Sequence, residues 1–189
     1  MKNTNYKMCK LCETHPVYEF TNQRKVCKTC FIHWFEKKVL YTIRKFEMIK
    51  PGDAIGYENQ SDFRSVVLEE ILKSFSKKAN IKLVKLPSKK KINKIAIPST
   101  IDSESDKIVK ELINGKAKNL DKAKPVYKNF IKPLYLFLDK EVLLYAELKQ
   151  LKFSKQKKDK DKISEFINDL EKKHPEIKWA IINGFEEVL

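Results

Sequence analysis

Gly52-Asp-Ala-Ile-Gly-Tyr-Glu-Asn-Gln-Ser-Asp-Phe-Arg-Ser-Val-Val-Leu-Glu-Glu-Ile-Leu72 is the stretch on which the reading of the whole chain turns. A short apolar run, Ala54 to Tyr57, passes through a polar turn into a segment carrying Val66, Val67, Ile71, Leu72 and Phe75 at helical spacing. The pattern predicts strand, loop, helix. In α/β folds such a loop lies at the carboxyl end of a strand, where the free N–H groups and positive end of the following helix attract an anion. Glycines normally let the backbone approach that anion, but here the turn is Gln60, Ser61, Asp62, Phe63, Arg64 and Ser65. Asp62 would set a carboxylate where a phosphate oxygen should come. Such a residue is also an ordinary helix N-cap. The turn therefore reads as a capped helix, with a working or altered phosphate site as the alternative.

Working outward, the segment before it carries Phe31, Phe35, Val39 and Ile43 every four residues, with Ile32 and Phe46 broadening the stripe, and predicts a helix over 31–48. Lys37, Lys38, Arg44 and Lys45 lie mainly off that stripe, so the helix is expected to show a basic outer face, either merely solvated or a nucleic-acid contact. Pro51-Gly52 ends it. Upstream stand all four cysteines, as Cys9-x2-Cys12, fourteen residues, then Cys27-x2-Cys30. Each C-x2-C turn presents two thiolates, and two such turns complete a closed tetrahedral shell around Zn2+, the spacing of a zinc ribbon with a structural metal. Disulfide pairing is the competing reading, weaker in a chain with no apolar leader. His15 and His33 are alternative ligands, though four thiolates already suffice. Val17 to Phe20 and Lys25-Val26, flanking Thr21 to Arg24, predict a short hairpin between the knuckles.

Downstream, Ile81, Leu83 and Leu86 predict a strand, and Pro87-Ser88 opens a basic loop at Lys89, Lys90 and Lys91. Ile95 to Ile97 reads as a buried strand. Thr100 or Asp102 then caps a helix through Ile101, Ile108, Val109, Leu112 and Ile113, ended by Asn114-Gly115. Strand and helix alternate, which is an α/β pattern. Residues 119–129 read as a connector, and Val142, Leu143, Tyr145, Ala146 and Leu148 as a helix. Residues 149–162, with seven lysines and two aspartates, read as a flexible charged loop or a phosphate-tracking surface. Ile163, Phe166, Ile167 and Leu170 mark another helix. Pro175 is placed in the first turn of a last one. His174 has no nucleophile or second histidine beside it in sequence.

The 189 residues, 42% hydrophobic, suffice for one main core with an appended module. No apolar run reaches the roughly 18 residues that argue for a membrane span, and the start has no signal-peptide core, so the expectation is a cytoplasmic protein without a membrane partner. Lys and Arg number 40 against 25 acids, a formal net charge of +15. That surplus suits a polyanion, because each cation set against a phosphate releases condensed counterions; a solvated basic surface is the bland alternative.

In order, these features resemble the PP-loop ATP pyrophosphatases of the TtuA-like cytoplasmic tRNA 2-thiolation family. The residues that carry the likeness are Cys9-Lys-Leu-Cys12, Cys27-Lys-Thr-Cys-Phe31, Phe35 to Val39 and Thr42 through Asp53, then Lys132-Pro-Leu134, Lys140-Glu-Val142, Tyr145-Ala146, Phe166 to Glu171 and His174-Pro175. The resemblance implies an α/β fold: a zinc ribbon over 1–30, a basic linking helix over 31–50, a reduced parallel-sheet PP-loop domain over 51–134, similar to adenine nucleotide alpha hydrolases, and C-terminal helices over 135–189. Family enzymes carry Ser-Gly-Gly-Lys-Asp-Ser as the pyrophosphate loop. Ungapped alignment puts Gln60 to Ser65 there, and Ser65 alone matches. A second family signature, Gly-His-Asn-x-Asp-Asp-Glu, resembles Ile95 to Gly115, with Pro98-Ser99 in place of Gly-His and Ser103 in place of one aspartate. Its mid-chain cysteines have no counterpart after Cys30, its C-terminal zinc ribbon is missing and its central region is longer. The implied protein is a non-catalytic subunit of tRNA thiolation, holding structural Zn2+ on Cys9, Cys12, Cys27 and Cys30 and neither ATP nor an iron-sulfur cluster. Lys37, Lys38, Arg44, Lys45 and Lys89 to Lys91 are the candidates for RNA contact. Its expected partners are tRNA and either an active paralogue or a second copy of itself. A diverged ATP-dependent tRNA thiolase and an unrelated zinc-ribbon nucleic-acid adaptor are the alternatives.

Overall fold

The computed structural model describes residues 8–12, 14–154 and 161–188. Strands β1 (Tyr18–Glu19) and β2 (Lys25–Val26) pair as the hairpin between the cysteine knuckles. Helix α1 runs from Lys28–Lys45, three residues earlier at each end than the 31–48 of the sequence reading. Its start lies inside the second knuckle: Cys27 is the extended N-cap, so Cys30 sits in the first turn. At the far end Glu47 takes a left-handed φ of 47°, Glu47 N–H bonds Arg44 and Met48 N–H bonds Ile43 at 2.9 Å. That is a Schellman stop, reached with a glutamate where sequence reading looks for glycine. The predicted stripe is buried as Phe31, Phe35, Val39 and Ile43.

After a turn at Gly52, β3 (Ala54–Tyr57), α2 (Phe63–Ser76) and β4 (Lys82–Lys85) form the expected strand, helix and strand. Strand β5 (Lys94–Ala96) then pairs on the other side of β3. To reach it, the chain crosses the sheet face against bare backbone: a Cβ at Gly56 would lie 2.9 Å from Ile92 and 3.2 Å from Leu86. A side chain there would have to displace the methyl tips of Ile92 and Leu86.

Helix α3 (Ile101–Ile113) is capped by Thr100, one of the two candidates, and the other, Asp102, lies inside its first turn. Residues 119–129 are not a plain connector. They enter a 3-10 helix, Ala117–Ala123, and a hairpin of β6 (Val126–Tyr127) and β7 (Phe130–Ile131). Strand β7 lies beside β5, and two-residue strands carry no alternation long enough to be read from sequence. The sheet order is β4-β3-β5-β7-β6, parallel except for the β6 edge. Helices α4 (Asp139–Leu148), α5 (Lys162–Lys173) and α6 (Ile177–Val188) follow. Pro175 lies in the turn before α6, not in its first helical turn, because His174 caps α5 and two turn residues follow it. Most of the lysine-rich run, residues 155–160, lies outside the described residues.

One apolar core is continuous from Cys9, Val26 and Cys27 through Phe31 and Phe35 to Ile55, Leu72, Phe137 and Tyr145. Phe35 is at its centre, with ring centroids 4.2 Å from both Phe137 and Tyr145. The Tyr145 hydroxyl donates to Glu36 at 3.0 Å, and that of Tyr18 to Glu141 at 3.2 Å, so α4 is tied to α1 and to the cysteine module. A second core, around Ile101, Ile108, Tyr135 and Ile182, seats α6 on α3.

Candidate functional site

Open parallel sheets bind ligands outside the carboxyl ends of the strands where the strand order reverses. Here the chain leaves β3 to one side for β4 and returns to the other for β5, so the crevice lies between the loops after β3 and β5. Those loops contain the turn quoted first.

Asp62 caps α2. Its carboxylate accepts the N–H groups of Arg64 at 2.9 Å and Ser65 at 3.3 Å, and the buried Ser65 hydroxyl also donates to it. The amides that would greet a phosphate are thus held by a side chain of the same loop. Ser61, just before it, adopts a left-handed φ of 61°, the conformation for which glycine is favoured. Its carbonyl accepts from Ser154 N–H at 2.7 Å and the Ser154 hydroxyl at 3.0 Å, so the segment after α4 straps the loop down.

The far wall is also engaged. Arg64 Nε donates to Asp139 at 2.7 Å and its second nitrogen reaches the other carboxylate oxygen, a bidentate pair. Asp139 also accepts from the Thr100 hydroxyl at 2.7 Å, while its own N–H donates to Asp102 at 2.7 Å. Asp102 and Glu171 share the buried ammonium of Lys178, the latter at 2.8 Å. Burial, and then the charge of Asp139, push the Asp102 carboxyl above its ordinary range, which Lys178 opposes. Arg64 is thus committed to Asp139 and Lys178 to Asp102 and Glu171, while Lys107 and Lys110 line the hollow beside Arg64 and Ser103. Asp139 and Lys178 were not legible from sequence. They are single charges more than 35 residues from either loop, brought in by α4 and α6.

The second site is the cysteine cluster. Cys9, Cys12, Cys27 and Cys30 place all four sulfurs within 4.8 Å of one another. Cys12 Sγ lies 3.3 Å from that of Cys27 and 3.7 Å from that of Cys30. Four sulfurs so placed can hold a metal ion. The Thr14 hydroxyl, followed by the Cys30 backbone, holds the Cys27 thiol down to about 6, while burial, followed by the Cys27 sulfur, pushes that of Cys30 up to about 12, so without a metal the crowded sulfurs share protons. His33 is exposed on α1, and among the described residues the cluster consists of the four cysteines.

Of the basic candidates, Lys37, Arg44, Lys45 and Lys89 to Lys91 are exposed. Lys45 lies 3.9 Å from Glu186. Lys38 is turned inward: its ammonium is 3.6 Å from Glu141 and lies over the rings of Trp34, Phe137 and Trp179 at 4.8, 4.6 and 5.2 Å. The structure brings Lys37 and Lys38 near the cysteine module and leaves the 89–91 loop on the connection after β4. Among the described residues no helix is long and apolar enough to cross a membrane.

No protein-family model matches the chain. Over 59 residues, 31% of its length, it is 37% identical to a cytoplasmic tRNA 2-thiolation protein 1 from Meyerozyma guilliermondii. A protein of the same name from Aspergillus niger is 34% identical over 59 residues. The chain spans only 16% and 17% of the length of those two relatives. Among solved structures, the U34-tRNA thiolase NcsA from Methanococcus maripaludis, determined with its 4Fe-4S cluster, matches with a TM-score of 0.77 and 20% identity, covering 96% of this chain and 86% of that one.

Proposed function

We propose, from the chain's homology to the tRNA 2-thiolation proteins of the PP-loop superfamily, that it is a cytoplasmic, non-catalytic subunit of that chemistry which binds tRNA and supports an active partner. The observation that carries this reading is the occupied crevice. Asp62 takes the α2 amides and Arg64 is committed to Asp139, so an ATP triphosphate would find the loop's own donors already occupied where an enzyme offers a cradle. The sequence supplies no cysteine after Cys30, which leaves the crevice without a sulfur carrier of its own.

In this reading the cysteine cluster holds a structural Zn2+. Zn–S bonds of about 2.3 Å put tetrahedral sulfurs about 3.8 Å apart, close to the spacing here. A four-iron cube would spread its cysteines over a larger shell. The ion supplies the cross-link that fixes the knuckles to α1. The +15 charge and the exposed lysines supply the affinity for RNA.

The test is titration of the metal-loaded protein with ATP and with tRNA, alongside recovery of what it retains from its native cell. Retained tRNA together with a thiolase, and no calorimetric heat with ATP up to millimolar, is the expected result. Micromolar ATP binding, or release of AMP by the isolated chain, would return it to the enzymes.

A further inference from the structure

A cleft of about 530 Å³ separates the Thr21–Arg24 turn of the cysteine module from the start of α4 and from α6. It lies within the range of about 300–1,000 Å³ usual for small-molecule sites. Its acids are already engaged: Glu19 pairs with Lys25 at 3.2 Å, and Glu141 holds Lys38, Tyr18 and the Leu138 N–H. Its remaining cations are not. Lys140 is exposed, with no ion pair among the described residues. The Arg24 guanidinium is stacked 4.4 Å over Phe20, and its buried Nε has no hydrogen-bond partner among the described residues. That nitrogen is closed to solvent, so an oxyanion entering the cleft would be held by the two outer nitrogens of the guanidinium, which take it in two-point fashion.

The same cleft presents Trp179, half-buried against the second core, with the Lys38 ammonium 5.2 Å from its ring. Arg24, Trp34 and Lys38 also form the wall of a second groove of about 560 Å³, on the outer side of α1, where Tyr41 and Lys37 are exposed. Two hollows thus adjoin across an unpaired arginine, each with an aromatic ring and a cation. That alternation matches the base and phosphate of successive nucleotides in a single strand.

We propose that the cleft between the cysteine-module turn and α6 seats one unstacked nucleotide of a bound RNA strand, its base on Trp179 and its phosphate on Arg24 and Lys140. The strand continues past Arg24 into the outer groove along Lys37 and Tyr41. This rests on the RNA-binding reading above and adds to it a site away from the lysine loop. The order of parts also gives the metal a role in binding, since the knuckles fix the hairpin whose turn carries Arg24.

The experiment is photocrosslinking of the metal-loaded full chain to a single-stranded ribo-oligonucleotide bearing 5-iodouridine, with the adducts mapped by mass spectrometry, and anisotropy binding across a salt series. Adducts at Trp179 or Trp34 are expected. Trp179→Ala should weaken binding about ten-fold at an unchanged salt slope, and Trp179→Phe should recover most of it. Arg24→Ala should lower the slope by about 0.7, with Arg24→Lys restoring it. Adducts confined to residues 89–91, with Trp179→Ala binding like the parent, would overturn the seat and leave RNA binding standing. Failure of the parent to retain any RNA would overturn both. A free mononucleotide that competes as well as the strand would assign the cleft to a small metabolite and refute the inference.

Discussion

Asp62→Ala is the sharpest perturbation of the crevice. It removes the acceptor for two backbone N–H groups and for the buried Ser65 hydroxyl. Loss of an acidic N-cap costs about 1 kcal/mol, and the Ser65 hydroxyl, left with the Asp62 carbonyl at 3.2 Å as its acceptor, adds up to about another. In a chain of this size, about 2 kcal/mol corresponds to a fall in Tm of roughly 4–8 °C. The same change frees the helix N-terminus for an anion. Phosphate held with a Kd of about 1 mM and supplied at about 10 mM would return about 1.4 kcal/mol, or roughly 4 °C. Thermal unfolding with phosphate, with chloride at matched ionic strength as control, reads both effects. The parent should be unmoved by phosphate, Asp62→Ala destabilised and partly rescued, and Asp62→Asn, which keeps the cap, close to the parent. A parent that phosphate stabilises as much as the variant would refute the reasoning, for its amides would then be free already.

Removing the metal with a strong chelator should lower the Tm of the whole chain by about 10 °C or more, because Cys9 and Cys27 share a core with Phe35; metal analysis of the native protein should find one zinc per chain, and a visible iron-sulfur absorbance would contradict it. Phe35→Ala should cost about 3–5 kcal/mol in urea unfolding, since the ring touches Phe137 and Tyr145 at the centre of the core. Lys132, buried against Glu104 at 2.9 Å, has its ammonium pKa lowered by burial to about 8 from 10.5. The unfolded chain therefore binds that proton more tightly, so stability rises between about pH 8 and about pH 10, by at most about 1.4 kcal/mol for each step of one in pH. Lys38 is lowered too, by burial, and acts with the same sign, so Lys132→Met should flatten the rise in urea midpoints without abolishing it.

The sequence alone determined what depends on neighbours along the chain. The cysteine spacing selected a four-sulfur site because two thiolates from one tight turn stay together wherever the turn goes. Ala54 to Phe75 declared strand, loop and helix through a change of period, and Asp62 declared itself a cap because capping joins residues only two or three apart. What the periodicity could not carry was anything two residues long or reversed by a rare conformation: β7, invisible between Asn129 and Lys132, and the end of α1, set by a left-handed Glu47.

Only the tertiary structure decided which charges meet. Lys38 looked like its neighbours on a basic helix, yet Glu141 and three aromatic rings, from α1, α6 and the approach to α4, draw it inside. Asp139 and Lys178 are ordinary surface residue types until packing sets them against Arg64 and Asp102, and Arg24 is an ordinary surface arginine until packing lays it on Phe20 and buries its Nε with no partner among the described residues. Coulomb interactions depend on separation in space and on burial, and neither is a local property of the chain. The longer elements were therefore written in the sequence, and the state of the crevice between them was written by how they pack.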